Sequence, residues 1–224
     1  MPVIGIPGIT RRPLVVLGIL MSKKMIKPGP DLLTQVNQAF LDYGYGGLSM
    51  VGLAKACGFT QRALYYYFSN KEEAFRAVIG WRHVEDVGLA LEAGRAVRAK
   101  GGGALDIFAT ILDVRYGETR RRLTHSPHTV ELNAEAFKRC RDLMIKSAVS
   151  FQADLERLVV ELQAAKLLKL NGEFTPTQIA QALADGARAV NQALPPIARD
   201  DFSARYRQMC AMVLYGCAVI PKRK

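Results

Sequence analysis

The sequence predicts an all-α fold in which a small three-helix unit precedes a larger helical one. Three observations carry that prediction. No run of alternating β-branched residues bounded by turn residues occurs. From residue 30 onward, apolar residues recur at three- and four-residue spacing. Helix caps and glycine stops fall where those patterns begin and end. Half of the 224 residues are hydrophobic and 23% are charged. That balance belongs to a folded chain and excludes the disordered, collagenous and disulfide-scaffold classes.

The first helix runs over Asp31–Tyr43, with Leu33, Val36 and Phe40 on one face, Asp31 as cap and Gly44 as stop. Tyr45-Gly46-Gly47 is a turn. Ser49 caps a second helix whose apolar positions are Met50, Leu53, Ala54 and Cys57, and Gly58 ends it. Thr60 caps a short third helix from Gln61 to about Tyr66. Asn70 with Lys71-Glu72-Glu73 opens a long fourth helix, its acids placed where the helix dipole favours them. Gly101-Gly102-Gly103 separates it from a fifth, over residues 104–123, and Thr124–His128 is a turn. Phe137, Cys140, Met144, Ala148, Phe151, Leu155, Leu158 and Leu162 then step by threes and fours, which predicts one helix of about seven turns. Asn171-Gly172 stops it. Two further helices, residues 177–194 and 202–220, flank Pro195-Pro196.

Residues 1–27 read as an extension, a poorly ordered arm or the product of an upstream start, with Met21 or Met25 as the alternative beginning. The apolar run Leu14–Met21 is far shorter than the roughly 20 residues a bilayer span needs. Arg11 and Arg12 precede it as in a signal peptide, but Ser22-Lys23-Lys24 follows where a cleavage site would stand. No other stretch is long enough to span, so no membrane partner is expected and the chain is assigned to the cytoplasm. The four cysteines show no CxxC pair and no zinc spacing, and they read as buried free thiols of a reducing compartment.

The chain has 31 Lys/Arg against 20 Asp/Glu, a net charge of +11, which suits a polyanionic partner, nucleic acid or an anionic surface. Residues 1–80 hold nine of the cations and four of the acids, so the excess is spread over the whole chain. Within residues 48–75, two short helices joined by a glycine-containing turn form a helix-turn-helix. Ala54 is small where the helices cross, and Gly58 supplies the positive φ of the turn. Leu53, Leu64 and Phe68 supply the core. The capped start of the third helix can face a phosphate, and its outward residues Gln61, Arg62, Ala63, Tyr65 and Tyr66 suit base edges and backbone in a major groove.

Leu53-Ala54, Gly58, Thr60, Leu64-Tyr65-Tyr66-Tyr67-Phe68 and Lys71-Glu72 together resemble the DNA-binding domain of the TetR/AcrR family of transcriptional regulators, over about Asp31–Trp81. The resemblance implies a DNA-binding domain over residues 28–80 and a helical ligand-binding and dimerisation domain over 81–224. It implies base contacts from Thr60, Gln61, Arg62 and Ala63, backbone contacts from Tyr65 and Tyr66, and phosphate contacts from Lys71 and Ser49. Each has a plainer reading beside it. Ser49 can cap and do nothing more, Lys71 can be a solvated helix-start lysine, and Tyr67 packs. The second helix carries Met50, Val51 and Gly52 where some family members place a basic base-reader.

Residues 208–220 contain no charge, and the helix before them is rich in small and apolar residues. Ile179, Leu183, Ala187, Val190, Phe202, Tyr206, Met209, Val213 and Cys217 therefore read as a homodimer interface, a four-helix bundle between two copies. A twofold reader implies a double-stranded, pseudo-palindromic DNA operator. The resemblance implies a repressor released by a small-molecule effector, of unknown identity, among the middle helices; an activator or a protein-controlled regulator is the alternative on the same fold. Phe108, Ile111, Leu112, Tyr116, Phe137, Cys140, Met144 and Phe151 are candidates to line the cavity, and each also reads as ordinary core. Arg115 and Arg120–Arg122 can meet an acidic ligand or form a solvated face. His125 and His128 have no third ligand near in sequence, so no metal or cofactor is expected. No catalytic set stands out, so the chain is not expected to be an enzyme.

Overall fold

The computed structural model describes residues 26–216, and among these every regular element is helical. The helices are α1 (Pro30–Tyr43), α2 (Met50–Ala56), α3 (Gln61–Leu64), α4 (Lys71–Ala99), α5 (Ala104–Leu112), α6 (Glu118–Leu123), α7 (Thr129–Arg139), α8 (Arg141–Ala164), α9 (Pro176–Asn191) and α10 (Phe202–Tyr215). A π-helical turn, Asp113–Gly117, joins α5 to α6, and a 3-10 turn, Arg199–Asp201, leads into α10. The expected arm falls, for residues 1–25, outside the described residues, as do Cys217 and Ile220.

Two apolar clusters organise the chain. The head cluster joins α1, α2, α3 and the first turns of α4 around Val36, Phe40, Leu53, Leu64, Phe68 and Phe75. The body cluster joins the second half of α4 with α5, α8, α9 and α10 around Phe108, Leu112, Phe151, Leu183 and Tyr206. α4 has 29 residues and is roughly 40 Å long at 1.5 Å per residue, and it serves both clusters. The sequence boundary at residue 80 lies inside this unbroken helix.

Three sequence expectations are corrected. The third helix ends at Leu64, and residues 65–67 continue as tight turns, with Tyr66 N–H donating to Ala63 O at 3.1 Å and Tyr67 N–H to Leu64 O at 3.0 Å. The helix expected over residues 104–123 is interrupted by the π-helical turn. The seven-turn helix is two helices that bend at Cys140, whose backbone (φ −124°, ψ 17°) closes α7 and opens α8. The apolar stripe missed this bend because its two halves face different cores. Leu132 and Cys140 complete the head cluster, while Phe151, Leu155, Val159 and Leu162 enter the body. α8 also stops at Ala164, before Asn171-Gly172; Lys166 takes φ 59°, and Leu167 N–H closes on Leu162 O at 2.9 Å.

The residues expected at the dimer interface fall differently. Ile179, Leu183, Ala187, Phe202 and Tyr206 are each at most 9% exposed within one chain. They pack α9 and α10 into the body and leave a partner no side-chain surface. Val190, Met209 and Val213 are half-buried, and the large apolar side chains that α10 turns outward are Met212 and Tyr215. Cys57, Cys140 and Cys210 are buried free thiols, and burial pushes the last two up to about 11 and about 12.

Candidate nucleic-acid interface

The helix-turn-helix is built by caps at its two helix starts and a glycine between them. Ser49 Oγ accepts the Gly52 N–H at 3.1 Å and starts α2. Gly58 takes φ +68°, and Phe59 N–H closes the turn on Ala54 O at 2.8 Å. A Cβ at that φ is strained, so the turn favours glycine. Thr60 Oγ1 accepts the Ala63 N–H at 3.1 Å and starts α3. Each cap satisfies a backbone donor that a helix start otherwise leaves open. Leu53, Leu64 and Phe68 are at most 1% exposed and hold the two helices together.

Because those side chains point inward, the opposite surface of α3 is polar. Thr60, Gln61 and Arg62 are exposed and Ala63 is half-buried. Tyr65 and Tyr66 are half-buried beside them. Tyr67 packs edge-on against Phe59, with ring centroids 6.0 Å apart, in agreement with its reading as a packing residue. The Ile26 N–H donates to Tyr66 O at 2.9 Å, so the chain reaches α1 by way of the turns that follow α3. The sequence held no signal for that contact.

Lys71 differs from a solvated lysine. Its Nζ donates to Tyr45 O and Leu48 O, both at 2.7 Å, and sits 4.3 Å from the Tyr45 ring centroid. Two of its three N–H groups thus tie the α1–α2 connection to the start of α4, leaving one for an outside acceptor. The recess beside it is also lined by Glu72 and Glu73, acids that disfavour a second phosphate there.

The head is fastened to α7, α8 and the turn before them by contacts that had no sequence signal. The Gly46 N–H donates to Glu131 Oε1 at 2.6 Å, and Ser126 Oγ donates to Leu41 O at 2.6 Å. Arg76 makes two parallel bonds to the Asp142 carboxylate, at 2.7 and 2.9 Å, and also donates to Arg139 O. The Arg76 guanidinium holds the Asp142 carboxyl down to about 2. Arg139 pairs with Glu72 and Glu135 and covers the Tyr45 ring at 4.5 Å. Partners so distant in sequence leave no local pattern.

The residues expected to line an effector cavity divide. Phe108, Ile111, Leu112, Tyr116 and Phe151 share the body cluster. Cys140 belongs to the head cluster, Phe137 is 52% exposed and Met144 is half-buried, so these three do not join them. Among the described residues no three His, Cys, Asp or Glu side chains stand together as a metal site, and no helix is long and apolar enough to cross a membrane.

Comparison with known proteins agrees with this geometry. Residues 33–78 match the family model described as bacterial regulatory proteins, tetR family. Among solved structures, a transcriptional regulator of the TetR/AcrR family from Thermobifida fusca is 22% identical, with a TM-score of 0.58 over 84% of this chain and 97% of that one. Salmonella enterica GusR is 21% identical, with a TM-score of 0.58 over 82% and 93%. Thermus thermophilus FadR, a TetR-family repressor in complex with lauroyl-CoA, is 15% identical, with a TM-score of 0.55 over 87% and 97%. The search of curated proteins finds no match.

Proposed function

We infer that this chain, a TetR-family transcriptional regulator by the segment it matches and the fold it shares, binds a pseudo-palindromic DNA operator as a homodimer and is a repressor released by a small molecule in its body. The observation that carries the reading is the exposed pair Gln61 and Arg62 on a capped helix, held rigid by the buried Leu53, Leu64 and Phe68. In this reading Arg62 meets a guanine edge, since its guanidinium can donate two parallel hydrogen bonds there. Thr60, Gln61 and Ala63 complete the base contacts, and Ser49, Tyr65, Tyr66 and the remaining N–H of Lys71 contact the backbone.

The homodimer follows from scale. One four-residue helix reaches few base pairs, so useful specificity needs two heads about one helical turn, or a multiple, apart. Met212 and Tyr215, with Met209 and Val213 behind them, are the surface of α10 that a second copy would cover, in place of the buried residues of the original expectation. Such a regulator works in the cytoplasm, where its DNA is. That a structural neighbour of the same fold is found in complex with lauroyl-CoA supports a small-molecule effector here.

Selection from a pool of random duplexes with the purified protein tests the reading. The expected result is enrichment of a pseudo-palindrome whose binding weakens steeply as salt rises. A pool that emerges unenriched, at low salt and without added ligand, overturns it.

A further inference from the structure

The body contains a buried cation that its own acids do not neutralise. The π-helical turn after α5 sets Arg115 inside, at 5% exposure; Asp86 is the other buried charged residue among those described. Arg115 Nη2 lies 2.9 Å from His83 Nδ1 and 3.2 Å from Ser147 Oγ, and its Nε–H finds no acceptor. The Asp86 carboxylate is already engaged by Arg82 at 2.7 Å, Arg122 at 2.9 Å and the Thr119 hydroxyl at 3.0 Å. Two arginines thus share one buried carboxylate, Arg115 makes no bond to it, and Glu85 beside them is exposed. Burial and the Arg115 charge push His83 down to about 4, so it is neutral near pH 7 and adds no anion. The rings of Tyr116 and Phe151 lie 5.1 and 5.8 Å from the Arg115 guanidinium carbon and supply attraction without a countercharge. A buried charge in this state calls for a partner.

A second observation gives the partner its shape. A cleft of about 240 Å³ opens between α4, α5 and α8, where the apolar Leu91, Ile107, Ile111 and Leu158 and Gly94 meet the charged side chains Arg95, Arg98, Asp154, Arg157 and Glu161. The cleft and the cation are linked along the chain. Ile107 and Ile111 lie on α5, which leads into the turn that carries Arg115, and Ser147, Phe151 and Leu158 lie along α8 at helical spacing. Along α8, Phe151 lies between Ser147, which meets Arg115, and Leu158, which lines the cleft.

We propose that the body binds a small amphiphile with a carboxylate head, the head pairing with Arg115 and the apolar chain lying in the α4–α5–α8 cleft once the Phe151 ring moves aside. The proposal rests on reading the body as the effector domain. A singly charged head matches one unneutralised guanidinium enclosed by rings, whereas a phosphate dianion would need further donors.

Titration calorimetry of the full chain with decanoate, decan-1-ol and decyl phosphate tests this. Decanoate is expected to bind saturably, and decan-1-ol about tenfold to a hundredfold more weakly, the worth of one charge-assisted hydrogen-bonded pair. Arg115→Gln should abolish that preference, and Leu158→Phe, which fills the cleft and leaves Arg115 in place, should weaken both ligands. Should Arg115→Gln fail to fold by circular dichroism, Arg115→Lys is expected to keep part of the preference. Equal binding of acid and alcohol, no saturable binding of decanoate, or tighter binding of decyl phosphate each overturns the proposal. Operator binding in the same samples separates the two readings: its loss without ligand tells against the regulator, and its presence beside failed decanoate binding tells against this proposal alone.

Discussion

At the scale of single residues, Arg62 and Lys71 should respond to mutation in different ways. Arg62 is exposed and has no structural duty in the head, so Arg62→Ala should leave stability unchanged and relax sequence preference by about 1–3 kcal/mol at one base-pair position. Competition binding with operator variants reads this, and an unchanged preference would remove Arg62 from the base contacts. Lys71 holds two carbonyls, so Lys71→Met should lower stability to urea by about 1–3 kcal/mol and weaken binding to specific and random duplexes alike. His83 gives a pH signature. Its folded pKa, about 4, lies below the ordinary value near 6.5, so the unfolded chain takes up the proton first. The His83 contribution is therefore complete above pH 6.5, declines as pH falls from 6.5 to 4 by at most about 3 kcal/mol, and stays lost below. Denaturant melts of wild type and His83→Gln across that window check it, the variant being expected to show the shallower slope.

Along one helix, the same substitution should act with opposite signs. A Cβ at Gly94 of α4 would stand 2.5 Å from Ile111 Cγ1 and Cδ1, whereas at Gly88 it would meet nothing within 4 Å. Ala is better than Gly in a helix interior by about 1 kcal/mol, so Gly88→Ala should stabilise by roughly that amount. At Gly94 overpacking opposes the gain and costs about 1–3 kcal/mol, so Gly94→Ala should destabilise. Ile111→Val, which removes Cδ1, should recover part of the loss in the double variant, and thermal melts of the set decide the matter. This element also shows what a sequence makes legible. The starts of α2, α3 and α4 were readable because a cap acts within three residues: Ser49, Thr60 and Asn70 each accept the N–H of the third residue onward, whereas Asp31, expected to cap α1, lies in its first turn behind Gly29 and Pro30. The bend at Cys140 and the π-helical turn were not readable, since tertiary contacts set them. Cys140 breaks its helix where the chain passes from the head core to the body core, and the spacing of apolar residues is the same on either side. Likewise the exposure of Gln61 and Arg62 was legible from the head motif, while the burial of Arg115 was not, since the π-helical turn that sets it inside leaves no local pattern.

For the whole molecule, the proposed function asks how a four-residue helix would gain specificity, and the proposed answer is a dimer formed at the opposite end of the chain. The head is fastened to α7 and α8 by Arg76–Asp142, Arg139–Glu72 and the Glu131 bond to Gly46, so its orientation follows that of the body. If two bodies are joined through α10, the separation of their heads is fixed, and an operator with the matching half-site spacing gains the affinity of both. The proposed interface exchanges Phe202 and Tyr206, which face the core, for Met212 and Tyr215, which at 50% and 69% exposure face out. The exchange sets the test. Charge placed on the outer face should separate the copies without unfolding either one, because those side chains contribute little to the core of the single chain. The parent is expected to sediment as a dimer at micromolar concentration, and Met212→Glu with Tyr215→Asp as a folded monomer. The variant should also bind a full operator no better than a single half-site. Core substitution at Tyr206 should instead reduce stability and dimer content together. A double variant that still sediments as a dimer would place the interface elsewhere, and operator binding undiminished in a monomer would mean that each head reads alone.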